Sequence, residues 1–142
     1  MNTIAATEDE LIDEFGLLDG WMDRYQYLID MGRRLPDMDL AEKTDEHRLA
    51  GCQSQVWLHS DYRDGLVTFR AASDAAIVSG LIALLLRIYN DRSPAEILAA
   101  TPRFVAALGL DEHLSPTRSN GLAAMLSAVR AHAKSYADDC GN

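Results

Sequence analysis

The sequence predicts an α+β domain in which helices pack on one face of a small antiparallel sheet. Three observations lead there. Hydropathy alternates with period two from Gln55 onward and turns at Asp64-Gly65, the signature of a tight hairpin. The run from Ala75 to Tyr89 is apolar almost all round, as a helix inside a layered core must be. Residues 18–35 and 122–136 carry apolar side chains at three- and four-residue steps, the period of helices with one buried face. Helices and a hairpin segregated along the chain give the α+β class.

The elements follow in order. Thr7-Glu8-Asp9-Glu10 matches a capping box, with Thr7 as N-cap and Leu11, Ile12 and Phe15 as the apolar side of a first helix. Leu18, Trp21, Met22, Tyr25, Leu28, Ile29, Gly32 and Leu35 mark one face of a second, which Pro36 ends. Residues 36–50 read as a polar loop. In the hairpin, pairing Arg63 with Leu66 sets Tyr62 opposite Val67, Ser60 opposite Phe69 and Leu58 opposite Ala71. Val56, Leu58, Tyr62, Val67 and Phe69 then share a face. Ser73 and Asp74 are expected to cap the third helix. Ser93-Pro94-Ala95-Glu96 and Thr101-Pro102 announce two more, and Gly109 closes the latter in a left-handed conformation. A long C-terminal helix carries Leu122, Met125, Leu126, Val129 and Tyr136.

With 142 residues, 48% hydrophobic and 25% charged, the chain fits one globular domain, 1–142, with short frayed ends. The formal net charge of −9, without a basic cluster, disfavours nucleic acid and anionic membranes. A partner with a basic docking surface suits this charge better. The N-terminus shows no secretory pattern, and no apolar run approaches the ~20 residues that span a bilayer. A reducing cytoplasm is the expected compartment. Two cysteines, Cys52 and Cys140, are too few for a disulfide framework.

Cys52 is the chemically interesting position. It lies in Gly51-Cys52-Gln53-Ser54-Gln55-Val56-Trp57, directly after a glycine and before a strand, where backbone can turn and present a thiol. A cysteine without chemistry is the plain alternative, and is an even match for a lone cysteine taken at random. A metal site is disfavoured, because His47, His59, His113 and His132 form no short-spaced ligand pair. A papain-type protease is rejected, since Trp57 is not adjacent to Cys52 and the chain has no room for a histidine ~130 residues downstream. A thiol that accepts and passes on sulfur fits: it needs one nucleophilic cysteine, no resolving neighbour, and a loop that can reach another protein.

The run 51–57 resembles the active-cysteine signature of the SufE family of sulfur-acceptor proteins. The similarity continues, in colinear order over about residues 8–135, through Met31-Gly32-Arg33-Arg34-Leu35-Pro36, Ser73-Asp74-Ala75-Ala76-Ile77-Val78, Gly80-Leu81-Ile82-Ala83 and Leu114-Ser115-Pro116-Thr117-Arg118-Ser119-Asn120-Gly121-Leu122. The resemblance implies a fold shared with IscU-type scaffolds. It implies that Cys52 takes persulfide sulfur from a pyridoxal-phosphate-dependent cysteine desulfurase, SufS- or CsdA-like, stimulates it, and delivers sulfur to an iron–sulfur scaffold. The chain would then be a carrier and activator, with no cofactor or metal of its own and not an independent enzyme. A non-catalytic adaptor that works by binding alone is the alternative. Arg118, set against a plain surface salt bridge, is the candidate to stabilise the thiolate or persulfide anion if the fold brings it near, and Asp74 is a second candidate, set against a plain role at a helix N-terminus. Gly51, Gln53, Ser54 and Gln55 are expected to shape the loop and dock on the desulfurase. Trp57 and residues 81–86 are expected in the core, and His47 is given no chemistry.

Overall fold

Asp64 and Gly65 take the positive φ values, 55° and 81°, that a type I′ turn demands. Around them β1 (Val56–Arg63) and β2 (Leu66–Ser73) pair antiparallel in the expected register: Arg63 with Leu66, Tyr62 with Val67, Ser60 with Phe69, Leu58 with Ala71. The computed structural model describes residues 3–36, 38, 43, 44, 47–49 and 55–140, the last two by backbone only. Val56, Leu58, Val67, Phe69 and Ala71 are buried on the inner face, and Tyr62, at its rim, stacks on Tyr136 at 5.1 Å between ring centroids.

Both edges of the hairpin are occupied. Beside β2, Val67 donates to the Arg92 carbonyl and Asp91 donates back to that of Val67. Beside β1, Leu49 donates to Val56 O at 2.9 Å, and Leu58 to His47 O at 2.7 Å. Residues 47–49, expected as loop, therefore pair with β1 through an isolated antiparallel bridge, Arg48 opposite Trp57. Part of each edge is thus covered without a full-length strand.

Helices cover the inner face. Those N-terminal to the hairpin are α1 (Ile4–Gly16) and α2 (Trp21–Arg33), and α3 (Ala76–Tyr89) follows it. The short α4 (Pro94–Ala99), α5 (Phe104–Ala107) and α6 (Leu110–His113) lead to α7 (Pro116–Cys140). Helix α3 supplies Ile77, Leu81, Ile82, Leu84, Leu85 and Ile88 to the core, and α7 supplies Leu122, Met125, Val129 and Ala133. Helices α2 and α3 touch at glycines. A Cβ on Gly80 would lie 2.2 Å from Leu28 O, and one on Gly32 would lie 2.6 Å from Gly80 N.

Several expectations are corrected. The N-cap of α1 is Thr3, whose hydroxyl accepts from Ala6 N; Thr7 and Glu8 lie one turn inside, buried. Their polar groups serve tertiary contacts instead. Thr7 Oγ1 accepts from Arg92 Nη2 at 2.7 Å, and Glu8 Oε2 accepts from Arg103 N and Phe104 N at 2.8 and 3.1 Å. Glu8 thus caps α5, and Thr101 does not; the residue at that N-cap is Arg103. Burial, and then the Glu8 charge, push the neighbouring Tyr89 phenol up to about 12. The N-cap of α3 is Ala75, without a side-chain bond, because Asp74 is engaged elsewhere. Met22, 77% exposed, leaves the apolar face expected of α2. Trp57 lies half-buried on the outer face under Lys43 Nζ, 5.7 Å from its ring centre, and not in the core. Ser93 caps α4 as expected, accepting from Glu96 N, while Glu96 reaches Ile4 N across the fold. Gly109 takes the left-handed conformation, with φ 76°.

Candidate functional site

The site is built from the two arms that flank the cysteine segment. Cys52, Gly51, Gln53 and Ser54 lie outside the described residues; Gln55 and the arms on either side lie within them. The bond from Leu49 N to Val56 O fixes the ends of the intervening segment together. Leu49 packs against the core, which anchors the first arm. The second arm is β1 itself.

Asp74 secures the second arm where it begins. Gln55 N donates to Asp74 Oδ1 at 3.0 Å, and Asp74 N donates to Gln55 O at 3.4 Å. This reciprocal pair joins a residue adjoining the cysteine segment to the turn before α3. Asp74 also stands near the N-terminus of α3, where a carboxylate interacts favourably with the helix dipole. Both roles stabilise the turn. Asp74→Ala is expected to cost about 1 kcal/mol, a typical hydrogen-bond contribution, and to speed hydrogen exchange at the Gln55 amide; retained protection there would contradict the assignment.

Next to this turn opens a cleft of about 320 Å³, walled by Gly32, Leu35 and Met38 on one side and Ala72, Ser73 and Ala76 on the other. Arg33 and Lys43 bring positive charge to it within an acidic chain. Arg118 is placed differently. It belongs to the first turns of α7, its amide donates to Ser115 Oγ, and its guanidinium lies 5.8 Å from the centre of the Tyr25 ring. Among the described residues it makes no hydrogen bond or ion pair with Asp74 or Gln55. The structure thus brings Asp74 and Gln55 together and leaves Arg118, on α7, over the Tyr25 ring of α2.

A second polar cluster, which the sequence reading passed over, surrounds the first arm. A cleft of about 370 Å³ is lined by His47, His59, Ser60, His132, Ser135 and Tyr136. Ser60 Oγ lies 2.5 Å from His132 Nδ1 and 2.9 Å from the Tyr136 hydroxyl, which also donates to Ser60 O. Burial, then the nearby His59 and His47, hold His132 below the ordinary histidine range. The neutral ring is therefore favoured in the fold, and suits a Nδ1 that accepts from Ser60. Its contribution to stability is full above about pH 6.5, the unfolded value, and declines as pH falls through the depressed folded value. Denaturant midpoints taken across that interval should fall with acid, and fall less in His132→Gln; equal falls would contradict this. The signal for the cluster was period-two alternation placing Ser60 on the inner face; the partners on α7 were not readable from spacing.

Among the described residues no helix is long and apolar enough to cross a membrane, and no group of His, Cys, Asp and Glu is arranged to hold a metal.

Comparison with known proteins agrees with this architecture. An uncharacterised SufE-like protein of Rhizobium meliloti (strain 1021) is 42% identical over 131 residues, covering 89% of this chain and 94% of its own. An uncharacterised SufE-like protein of Rhizobium etli is 42% identical over 135 residues, covering 91% and 90%. The solution structure of a hypothetical protein from Thermus thermophilus superposes with a TM-score of 0.75 at 24% identity, over 91% of this chain and 94% of that one, and shares the fold. The family model described as "Fe-S metabolism associated domain" matches residues 9–133, and the chain belongs to that family, SufE.

Proposed function

We propose that this protein is a sulfur acceptor for a cysteine desulfurase, that it stimulates that enzyme, and that Cys52 is the residue that carries the sulfur. The observation that supports this most is the position of Cys52 in a segment whose two ends are fixed by the Leu49–Val56 backbone bond and the Gln55–Asp74 hydrogen bonds. Rigid arms around a short segment set where a thiol can be offered to a second protein.

The transfer is redox-neutral. The Cys52 thiolate attacks the outer sulfur of the desulfurase's cysteine persulfide. A new S–S bond forms on Cys52 as the donor's S–S bond breaks, and the donor cysteine leaves as its thiolate. Delivery to an iron–sulfur scaffold repeats the exchange with Cys52 as leaving group. Asp74 acts by position, holding Gln55. Arg118 is the cation assigned to the persulfide anion: among the described residues it has no carboxylate partner, and a guanidinium resting on an aromatic ring keeps its charge available. Gly51, Gln53, Ser54 and Gln55 form the docking edge. The acidic chain favours a basic surface on the partner, and the cytoplasm is the compartment in which a free persulfide carrier is expected.

The test is the rate at which a cysteine desulfurase releases alanine from cysteine, with and without this protein. Wild type is expected to raise the rate and Cys52→Ala to leave it at the unassisted level. Stimulation retained by Cys52→Ala would replace the carrier with an adaptor that acts by binding.

A further inference from the structure

We propose that His47 and His59 form a proton-sensitive clasp that positions the first arm of the Cys52 segment. His47 lies on that arm, with its carbonyl accepting from Leu58 N at 2.7 Å, and His59 lies on β1. Their side chains meet at 3.2 Å between His47 Nε2 and His59 Nδ1, with the rings nearly perpendicular at 87°. Side-chain and backbone bonds thus fasten the same short arm to the same strand. The effect on sulfur transfer rests on the function proposed above; the clasp itself does not.

Among the described residues, Asp61 sets the hydrogen-bond direction. His59 Nε2 faces Asp61 Oδ1 at 3.3 Å, and Asp61 is itself held by Arg70 Nη2 at 3.1 Å. A carboxylate only accepts, so His59 Nε2 carries the hydrogen and its Nδ1 is the acceptor in the neutral ring. His47 Nε2 must then donate, leaving its Nδ1 to accept from Thr44 Oγ1 at 3.3 Å. The resulting chain runs from Thr44 through both imidazoles to Asp61 and Arg70. From α7, His132, Ser135 and Tyr136 face the same cleft, and a charge on His132 would repel the pair.

The first proton taken by the pair can go to His47 Nδ1 without breaking the clasp, since Nε2 still donates. The second has to go to His59 Nδ1. It then sets two N–H groups and two positive charges against each other at a separation where the neutral pair has a hydrogen bond. Acid therefore opens the clasp at the second proton. A metal bridge between the rings is the competing use of two nitrogens this close. Among the described residues no third His, Cys, Asp or Glu completes such a group, which favours the hydrogen bond.

The test is amide hydrogen exchange at Leu58, corrected for intrinsic rates, between about pH 7.5 and pH 5, a range that brackets the ordinary histidine value. In wild type, protection at Leu58 is expected to fall roughly fivefold, the effect of one lost hydrogen bond. His47→Gln should stay protected throughout, because an amide oxygen at that position still accepts from a charged His59. His47→Ala should show the lowered protection, roughly fivefold below neutral wild type, at both ends of the range, with circular dichroism reporting an intact fold. A fall that survives in His47→Gln, or no fall in wild type, overturns the clasp. Persulfide loading of wild type and His47→Gln over the same range gives the functional arm: protonation of the Cys52 thiol lowers both, and a steeper acid loss is expected in wild type. A wild-type chain that shows the exchange step yet never acquires sulfur supports the clasp and overturns the carrier function, so the two fail separately.

Discussion

Cys52→Ser is expected to abolish sulfur acceptance, by at least about a hundredfold, while leaving the fold intact. The reaction needs a nucleophile that is substantially ionised near neutral pH. A thiol has an ordinary pKa of about 8.5 and can be lowered further by nearby cations, whereas a serine hydroxyl stays protonated and forms no stable bond of the S–S type. Serine is almost the same size, so any loss reports chemistry and not packing. The arms are held by Leu49, Val56, Gln55 and Asp74, none of which the substitution touches. Sulfur delivered to a scaffold, followed as cluster formation, should drop to the level without carrier, and an unchanged thermal midpoint should accompany it. Substantial delivery by Cys52→Ser would mean that sulfur travels by another residue.

Gly80→Ala is expected to be the most damaging single methyl group on the α2–α3 contact. Alanine in a helix interior is normally favoured over glycine by up to about 1 kcal/mol. Here the added carbon would sit 2.2 Å from the Leu28 carbonyl oxygen and 2.6 Å from its carbon. Those are backbone atoms, so no rotamer change relieves the clash and α2 must move away from α3. Forced repacking of this kind costs about 1–3 kcal/mol even when side chains yield, and a backbone contact belongs at the upper end. The net expectation is a loss of about 3 kcal/mol, read as a lowered denaturant midpoint. Gly16→Ala, at the end of α1 with nothing within 4 Å of its added carbon, should be near neutral. Similar midpoints for the two variants would show that the helices are not in close contact at Gly80.

The elements that could be read from sequence were those whose signals are local. Asp64-Gly65 specified its turn, the register followed from it, and Ser93 and Gly109 took the conformations their chemistry prefers. Misreadings arose where a local signal was overridden by a distant partner. Thr7 and Glu8 looked like a helix start, yet Arg92, Arg103 and Phe104, some 85–96 residues away, claim their oxygens. Asp74 looked like a cap, yet Gln55 takes its carboxylate. Residues 47–49 are too few to show alternation, so their pairing with β1 and the His47–His59 contact had no sequence signal. Cys52 is singled out by its residue type and motif alone, since it lies outside the described residues. The pairing of Gln55 with Asp74 needed coordinates.

The central claim is that sulfur rests on Cys52, and intact mass with peptide mapping tests it most directly. Wild-type protein is incubated with a cysteine desulfurase and cysteine, without reductant, and then digested. The expected result is a gain of one sulfur atom, removed by reductant, on the peptide containing Cys52 and not on the one containing Cys140. Sulfur on Cys140, or an undiminished gain in Cys52→Ser, would contradict the account.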